Sequence, residues 1–441
     1  MSETPDNMNP SYETGLARWY PLTPHPIQDA LSSDKVRVKV VPAGRRSGKT
    51  EKAKRHVVKE ALKIPGQYFV AAPTREQVKR IYWKDLKLLS FCSLMPQAPS
   101  ESELVIYFPN GSSISLIGLD QPQRMEGTPW KGGIIDEIAD VKETAWTENI
   151  GPALDTFDPR DPDYRPWVWL IGVPDGLNHY FDLAEYAKNS GDPDWKLYTW
   201  KSSDILPADV IESAKRRMSL RQFRQEYEAA FENSSGRIYD DYSTENHTKA
   251  VIQDHEQLLW THDFNYTPLS SAVAVIREDG VYFLDEVVLT SAVAEQSALE
   301  FVEKFKNHKN KQVIIYGDPS GKAGEKHGHE SDYTNIERVL RQNNWGYIRK
   351  VRPSTRSIKD GQNAVRAMIA NAANERRLFV NTNRAPYVHK ALGTGQLKKG
   401  STFLEEDSEY QHIGTAVRYF IDYEFPITGR PSGPINVRGG I

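Results

Sequence analysis

The stretch Ala43-Gly44-Arg45-Arg46-Ser47-Gly48-Lys49-Thr50 limits what this chain can fold into more than any other. It follows an apolar run, VRVKVVP at 36–42, and opens a helical stretch, EKAKRHVVKEALKI. A small residue, four of any kind and Gly-Lys-Thr, set between strand and helix, form a phosphate-binding loop. Its backbone N–H groups surround an anion at the helix N-terminus. Gly44, Arg45, Arg46, Ser47 and Gly48 then line the phosphates of ATP, Lys49 reaches the β and γ oxygens, and the Thr50 hydroxyl meets Mg2+. Strand, loop and helix in this order imply an α/β domain with a mostly parallel sheet.

The rest of the first half agrees with that site. QYFVAAP (67–73), IIDEIAD within 132–140 and WVWLIGVP (167–174) read as buried strands, and LVIYFPNGSSISLIG (104–118) alternates around an Asn110-Gly111 turn. The 132–140 strand ends in Asp136-Glu137. Asp136 is placed to hold Mg2+ and Glu137 to polarise the attacking water. Gln28 is a candidate adenine reader, and the bland alternative is a solvated loop amide. Arg45 is a candidate γ-phosphate sensor. Arg124 is a candidate arginine finger acting on a neighbouring subunit, and otherwise a surface charge.

Composition narrows the class. At 441 residues, with 39% hydrophobic and 26% charged residues, the chain is globular and long enough for two domains. No eighteen-residue apolar stretch is present, so no membrane span is expected. Cys92 is the only cysteine, which excludes an intrachain disulfide and a cysteine-based zinc cage. MSETPDNMNPSYETG lacks a basic-then-apolar secretory layout, and the single cysteine fits a reducing cytosol. A net charge of −3 argues against constitutive tight DNA binding and leaves room for a local basic groove or for weak contacts multiplied over an oligomer.

The pattern divides the chain into an irregular N-terminal arm (1–34), a phosphate-loop ATPase domain with a helical linker subdomain (35–232), a linker (233–255), a second domain (256–424) and a disordered tail (425–441). In the second domain LLWTHDFN, SSAVAVIRE and VYFLDEVVL read as three antiparallel strands, followed by a helix and the strand QVIIYGD. Asp263 and Asp318 end or interrupt apolar runs, where a carboxylate is costly unless solvated, paired or bound to metal. An acid on the first strand and another on the fourth is the layout of an RNase H-like nuclease with a mixed sheet. Two such acids can hold two Mg2+ or Mn2+ ions that activate water and steady the leaving oxygen, although strand-end aspartates also arise by chance.

These residues, taken in order, resemble the large terminase subunit of tailed bacteriophages over roughly 25–425. The resemblance is carried by AGRRSGKT, VAAPTREQVKRIYW, RMEG ahead of IIDE, VPDGLNHYFDL, FRQEYEAAF and the two-aspartate domain. It implies ATP-driven translocation of double-stranded DNA into a procapsid and metal-dependent cleavage of concatemers, in the cytoplasm of an infected bacterial host. Portal protein, small terminase subunit and a ring-shaped homo-oligomer are implied as partners. Lys49, Thr50, Asp136 and Glu137 match the family's ATPase positions, and Asp263 and Asp318 its first two nuclease acids.

Two departures stand out. The coupling segment reads Gly172-Val173-Pro174, where the family usually has a hydroxyl residue before proline. The final helix reads His412-Ile413-Gly414-Thr415, with threonine where the third nuclease aspartate is expected, and a neutral hydroxyl is a weak ligand for a hard cation. Glu409 and Asp422 are the candidate replacements. Asp422 is seven residues beyond Thr415, roughly 10 Å along a helix axis. Candidate DNA contacts are Arg349, Lys350, Arg352, Arg356 and Lys359, with Lys398 and Lys399 at a hairpin tip; the alternative is a solvated charged face. The rival function is a helicase-like translocase whose second domain binds DNA without cutting it.

Overall fold

The computed structural model describes residues 10–92, 95, 97–155, 164–232, 236–264, 268–322, 331–399 and 401–427. It forms two units: residues 1–211 with 224–233, and residues 212–223 with 234–441.

The first unit is built on seven strands: β1 Val38–Pro42, β2 Gln67–Ala72, β3 Val105–Tyr107, β4 Ser113–Gly118, β5 Trp130–Asp136, β6 Trp167–Gly172 and β7 Trp195–Leu197. Their order is β3-β4-β2-β5-β6-β1-β7, and every pairing is parallel except β3 with β4. Parallel strands buried on both faces need near-continuous apolar runs, and β2 and β6 supply them. Alternation sends Val41, Val70 and Ile134 into one core, shared with Ala53, Val57 and Ala61 of the helix Lys49–Lys63. Val40, Ala71, Ile135 and Leu170 enter the core on the other face.

The second unit holds β8 Leu258–Asp263, β9 Leu269–Arg277, β10 Gly280–Leu289, β11 Gln312–Gly317, β12 Gly346–Arg349 and β13 Leu378–Val380. Their order is β12-β11-β8-β9-β10-β13. β8, β9 and β10 form the expected antiparallel meander, and β11 joins β8 in parallel. Helices Ala294–Lys304 and Asp332–Gln342 cover one face, and Ile358–Ile369, Pro386–Thr394 and Gln411–Glu424 the other.

Several boundaries differ from the sequence reading. The arm is not irregular throughout: Pro10–Arg18 and Pro26–Ser33 are helices, the second started by proline at its first position. Arg18 fixes this segment by a bidentate bond to Glu51 at 2.6 Å on the helix behind the phosphate loop. Within the segment read as a linker, Ile238, Tyr239 and Tyr242 are buried in the second unit's core, and Asn246 donates to the carbonyls of Ile369 and Leu378. Residues 212–223 also pack with the second unit, where the Lys215 and Met218 carbonyls accept from Ala372 N–H. The helical stretch assigned to the first domain is therefore divided. Of the tail, Phe425 and Ile427 pack against a core, and residues 428–441 lie outside the described residues. Among the described residues no helix is long and apolar enough to cross a membrane.

Candidate active sites

The phosphate loop runs from β1 to the helix Lys49–Lys63, at the C-terminal edge of the parallel strands, where α/β sheets place their ligands. Gly48 adopts φ 86°, a left-handed conformation that suits glycine. At Gly44 a Cβ would stand 2.4 Å from Ser202 Oγ and 2.7 Å from the Tyr227 carbonyl, so only glycine fits. Lys49 is buried, and its ammonium makes no hydrogen bond or ion pair among the described residues.

Asp136, buried at the end of β5, accepts hydrogen bonds on one oxygen from Thr50 Oγ1 at 2.9 Å and from the Tyr82 hydroxyl at 2.7 Å. Its other oxygen accepts from Glu137 N–H at 2.9 Å. Glu137 comes next at φ 54°, left-handed despite its Cβ. Burial and the Asp136 charge push the Glu137 carboxyl upward, against the pull of Lys49 and Arg45.

Arg45 and Gln28 already have protein partners. Arg45 makes a bidentate pair with Glu226, one arm at 2.9 Å. Burial opposes its charge, and Glu226 outweighs that and holds the guanidinium above its ordinary value. Gln28 is buried and its Nε2 donates to the Ser47 carbonyl at 2.8 Å, a carbonyl that Trp200 Nε1 also reaches at 3.0 Å. The amide thus braces the phosphate loop. Arg46 sits at φ 57° within the loop, and the buried Ser47 hydroxyl has no hydrogen-bond partner among the described residues. Arg124 is exposed on the short turn Pro122–Met125.

Tyr82 escaped the sequence reading. The segment after Thr74 looks like one helix, but its residues Lys79–Trp83 form a π turn between the α-helical pieces Arg75–Val78 and Lys84–Leu89. The wider turn rotates the second helical piece relative to the first, and such turns concentrate at functional sites. Here Tyr82 lies in it and points its hydroxyl at Asp136.

In the second unit, strand alternation does the placing. On β8, Leu258, Trp260 and His262 face one side, and Leu259, Thr261 and Asp263 the side covered by the helix Gln411–Glu424, where Thr261 Oγ1 donates to the Ala416 carbonyl at 2.6 Å. Gly317 pairs with His262 across the parallel β11–β8 register, so Asp318 emerges beside Asp263. Asp318 also accepts from Ser320 N–H at 2.9 Å, and His412 Nδ1 stands 3.2 Å from Asp263 Oδ2. The hydrogen bond to Asp263 raises the His412 pKa against the effect of burial. Burial and then the Asp318 and Asp263 charges push the Tyr419 phenol up. Thr415, buried, shares this helix face with His412 and Tyr419 at spacings of three and four.

Neither candidate third acid joins them. Asp422 is buried and bound by Arg356 at 2.8 Å and Arg352 at 3.7 Å; burial nonetheless pushes its carboxyl up. Glu409 is exposed. Among the described residues no three His, Cys, Asp or Glu side chains cluster as a metal site.

The basic run is largely engaged by acids. Arg349 stands 3.5 Å from Glu337, Lys350 2.8 Å from Glu424, and Arg352 and Arg356 share Asp422. Lys398 stands 3.7 Å from Asp407, Lys359 is half-buried, and Lys399 is exposed.

Residues 41–242 match the family model described as terminase large subunit, T4likevirus-type, N-terminal. The chain is 26% identical over 250 residues to the terminase large subunit of Thermus virus P23-45, covering 49% of this chain and 50% of that protein. It is 27% identical over 228 residues to that of Escherichia phage T5, covering 51% and 50%. It thus spans about half the length of the curated relatives it matches. The large terminase of thermophilic bacteriophage D6E superposes with a TM-score of 0.56 at 16% identity, covering 95% of this chain and 99% of that one. The same protein in complex with ADP gives 0.55 at 17% identity, covering 94% and 99%. This likeness shows the fold: an α/β unit on a mostly parallel sheet followed by one on a mixed sheet.

Proposed function

We propose that this chain, whose residues 41–242 match the N-terminal model of the terminase large subunit, is the ATP-hydrolysing motor that drives double-stranded DNA into a viral procapsid. The observation that carries the reading is Asp136, held by Thr50 and Tyr82 at a parallel-sheet edge with Glu137 and Lys49 beside it. Thr50 and Asp136 offer a hydroxyl and a carboxylate, hard oxygen donors already in contact, and so fit Mg2+. Bound there, Mg2+ would neutralise charge on the phosphate oxygens. Lys49 would bind the β and γ oxygens, and Glu137 would orient the attacking water and accept its proton. Arg124, exposed, is available to a neighbouring subunit's nucleotide in a ring on the portal, with the small terminase subunit as a further partner. The site of action is the cytoplasm of the infected bacterial host.

For the second unit we propose metal-dependent DNA cleavage. Asp263 and Asp318 fit one divalent cation, Mg2+ or Mn2+, that would activate water; the third position is a neutral Thr415. The lack of a third acid among the described residues favours a second reading, a translocase that holds DNA without cutting it.

Purified full-length protein tests both. ATP turnover abolished by Lys49→Ala and Glu137→Gln is expected, and turnover surviving both variants would overturn the motor reading. Plasmid cleavage with Mn2+ or Mg2+, lost in Asp263→Ala and Asp318→Ala, supports the nuclease; intact ATPase without cleavage supports the translocase.

A further inference from the structure

Glu137 keeps a left-handed backbone, φ 54° and ψ 46°, which a residue with a Cβ resists. The turn it opens, Ile138–Asp140, must therefore be held from outside. Backbone bonds supply part of this: Asp140 N–H donates to the Glu137 carbonyl at 3.0 Å and Val141 N–H to that of Ile138 at 3.1 Å. Two side chains supply more. Asn178 Nδ2 donates to the Ala139 carbonyl at 3.0 Å, and His179 Nε2 stands 3.0 Å from the Ile138 carbonyl. A carbonyl only accepts, so the ring proton lies on Nε2.

Both residues begin the helix His179–Asn189. Asn178 is its N-cap, accepting from Tyr180 N–H through Oδ1 at 3.0 Å, so one amide caps the helix and grips the turn. The neighbouring strand end brings no such group. At Gly172 a Cβ would stand 3.4 Å from Ile138 N and 3.6 Å from Glu137 Cα, and Gly172-Val173-Pro174 carries no hydroxyl.

We infer that Asn178 and His179 are positioning residues for hydrolysis at the first site: they clasp the turn after Glu137 and so fix where its carboxylate points. The inference rests on the ATPase reading proposed above. Without the clasp the turn can relax toward a right-handed backbone, which swings the carboxylate off the water it must orient. The nucleotide-binding groups Lys49 and Thr50 lie outside the clasp, so binding and turnover separate.

The test measures steady-state ATP hydrolysis and the affinity for a fluorescent ADP in the full-length protein. The variants are His179→Ala, His179→Gln and Asn178→Ser, with Asn189→Ala at the far end of the same helix as control. Asn178→Ser keeps an N-cap oxygen for Tyr180 and loses the donor to Ala139. A drop in kcat of about 10- to 100-fold is expected for His179→Ala and Asn178→Ser, with ADP affinity within about threefold of wild type. His179→Gln retains an amide donor near the Nε2 position and should recover most of the rate. Unchanged kcat in both variants overturns the inference, as does a fall in ADP affinity that matches the loss of rate. Absence of turnover in wild type removes the ATPase reading and the inference with it.

Discussion

Replacing Tyr82 by phenylalanine removes one oxygen from the first unit and tests how Asp136 is held. The ring is fully buried and its packing is retained. The lost bond runs at 2.7 Å to a carboxylate that is itself 1% exposed. Hydrogen bonds to charged groups contribute about 1.5–3 kcal/mol. Asp136 keeps its contacts to Thr50 and to Glu137 N–H, each at 2.9 Å, so the carboxylate is not left bare. The lower part of the range, about 1.5–2 kcal/mol, is therefore expected. For a unit of this size each kcal/mol moves Tm by roughly 2–4 °C, giving a loss of roughly 3–8 °C. The assay is calorimetric melting of the full-length protein, following the transition that added Mg-ADP raises. Tyr180→Phe is the control: that ring is equally buried, and its hydroxyl makes only a 3.4 Å contact to the Leu170 carbonyl. Tyr82→Phe should also need more Mg2+ for half-maximal ATP turnover, because Asp136 is freer to turn. Melting no lower than that of Tyr180→Phe would refute the reasoning.

Thr415→Asp adds a third carboxylate to the helix face that meets Asp263 and Asp318. Melting in EDTA should fall through like-charge repulsion, while Mn2+ affinity by calorimetry rises on the order of tenfold; unchanged Mn2+ affinity would show that residue 415 does not face the site. Glu286, buried on β10 and accepting from Tyr387 and Val388 N–H, has its carboxyl pushed by burial from 4.5 to about 7. A carboxyl raised in the folded state gives stability that is full below about 4.5 and lost as pH rises to about 7. Glu286→Gln should flatten that part of the second unit's stability profile, measured by urea unfolding at a series of pH values.

Much of the candidate site could be read along the chain because the groups proposed for it are fixed locally. A glycine-rich loop between an apolar strand and a helix can be read without knowing the rest of the sheet, and so can an acid pair ending an apolar strand. Asp263 and Asp318 were legible for the same reason: each interrupts an apolar run at a strand end. The register that sets them side by side, Gly317 against His262, belongs to the sheet.

The sequence alone determined the phosphate-loop pattern, the acids at strand ends and the antiparallel meander. Only the tertiary structure decided which charges are already engaged and which neutral groups serve the site. Arg45 meets Glu226 across 181 positions, Tyr82 reaches Asp136 across 54, and Arg356 reaches Asp422 across 66. A side chain's charge and shape are local properties, but its partner is chosen by packing between elements remote in sequence. A basic run that reads as a DNA track can therefore fold into ion pairs, and a tyrosine in a helix with no site role legible in the sequence can come to hold the Asp136 carboxylate.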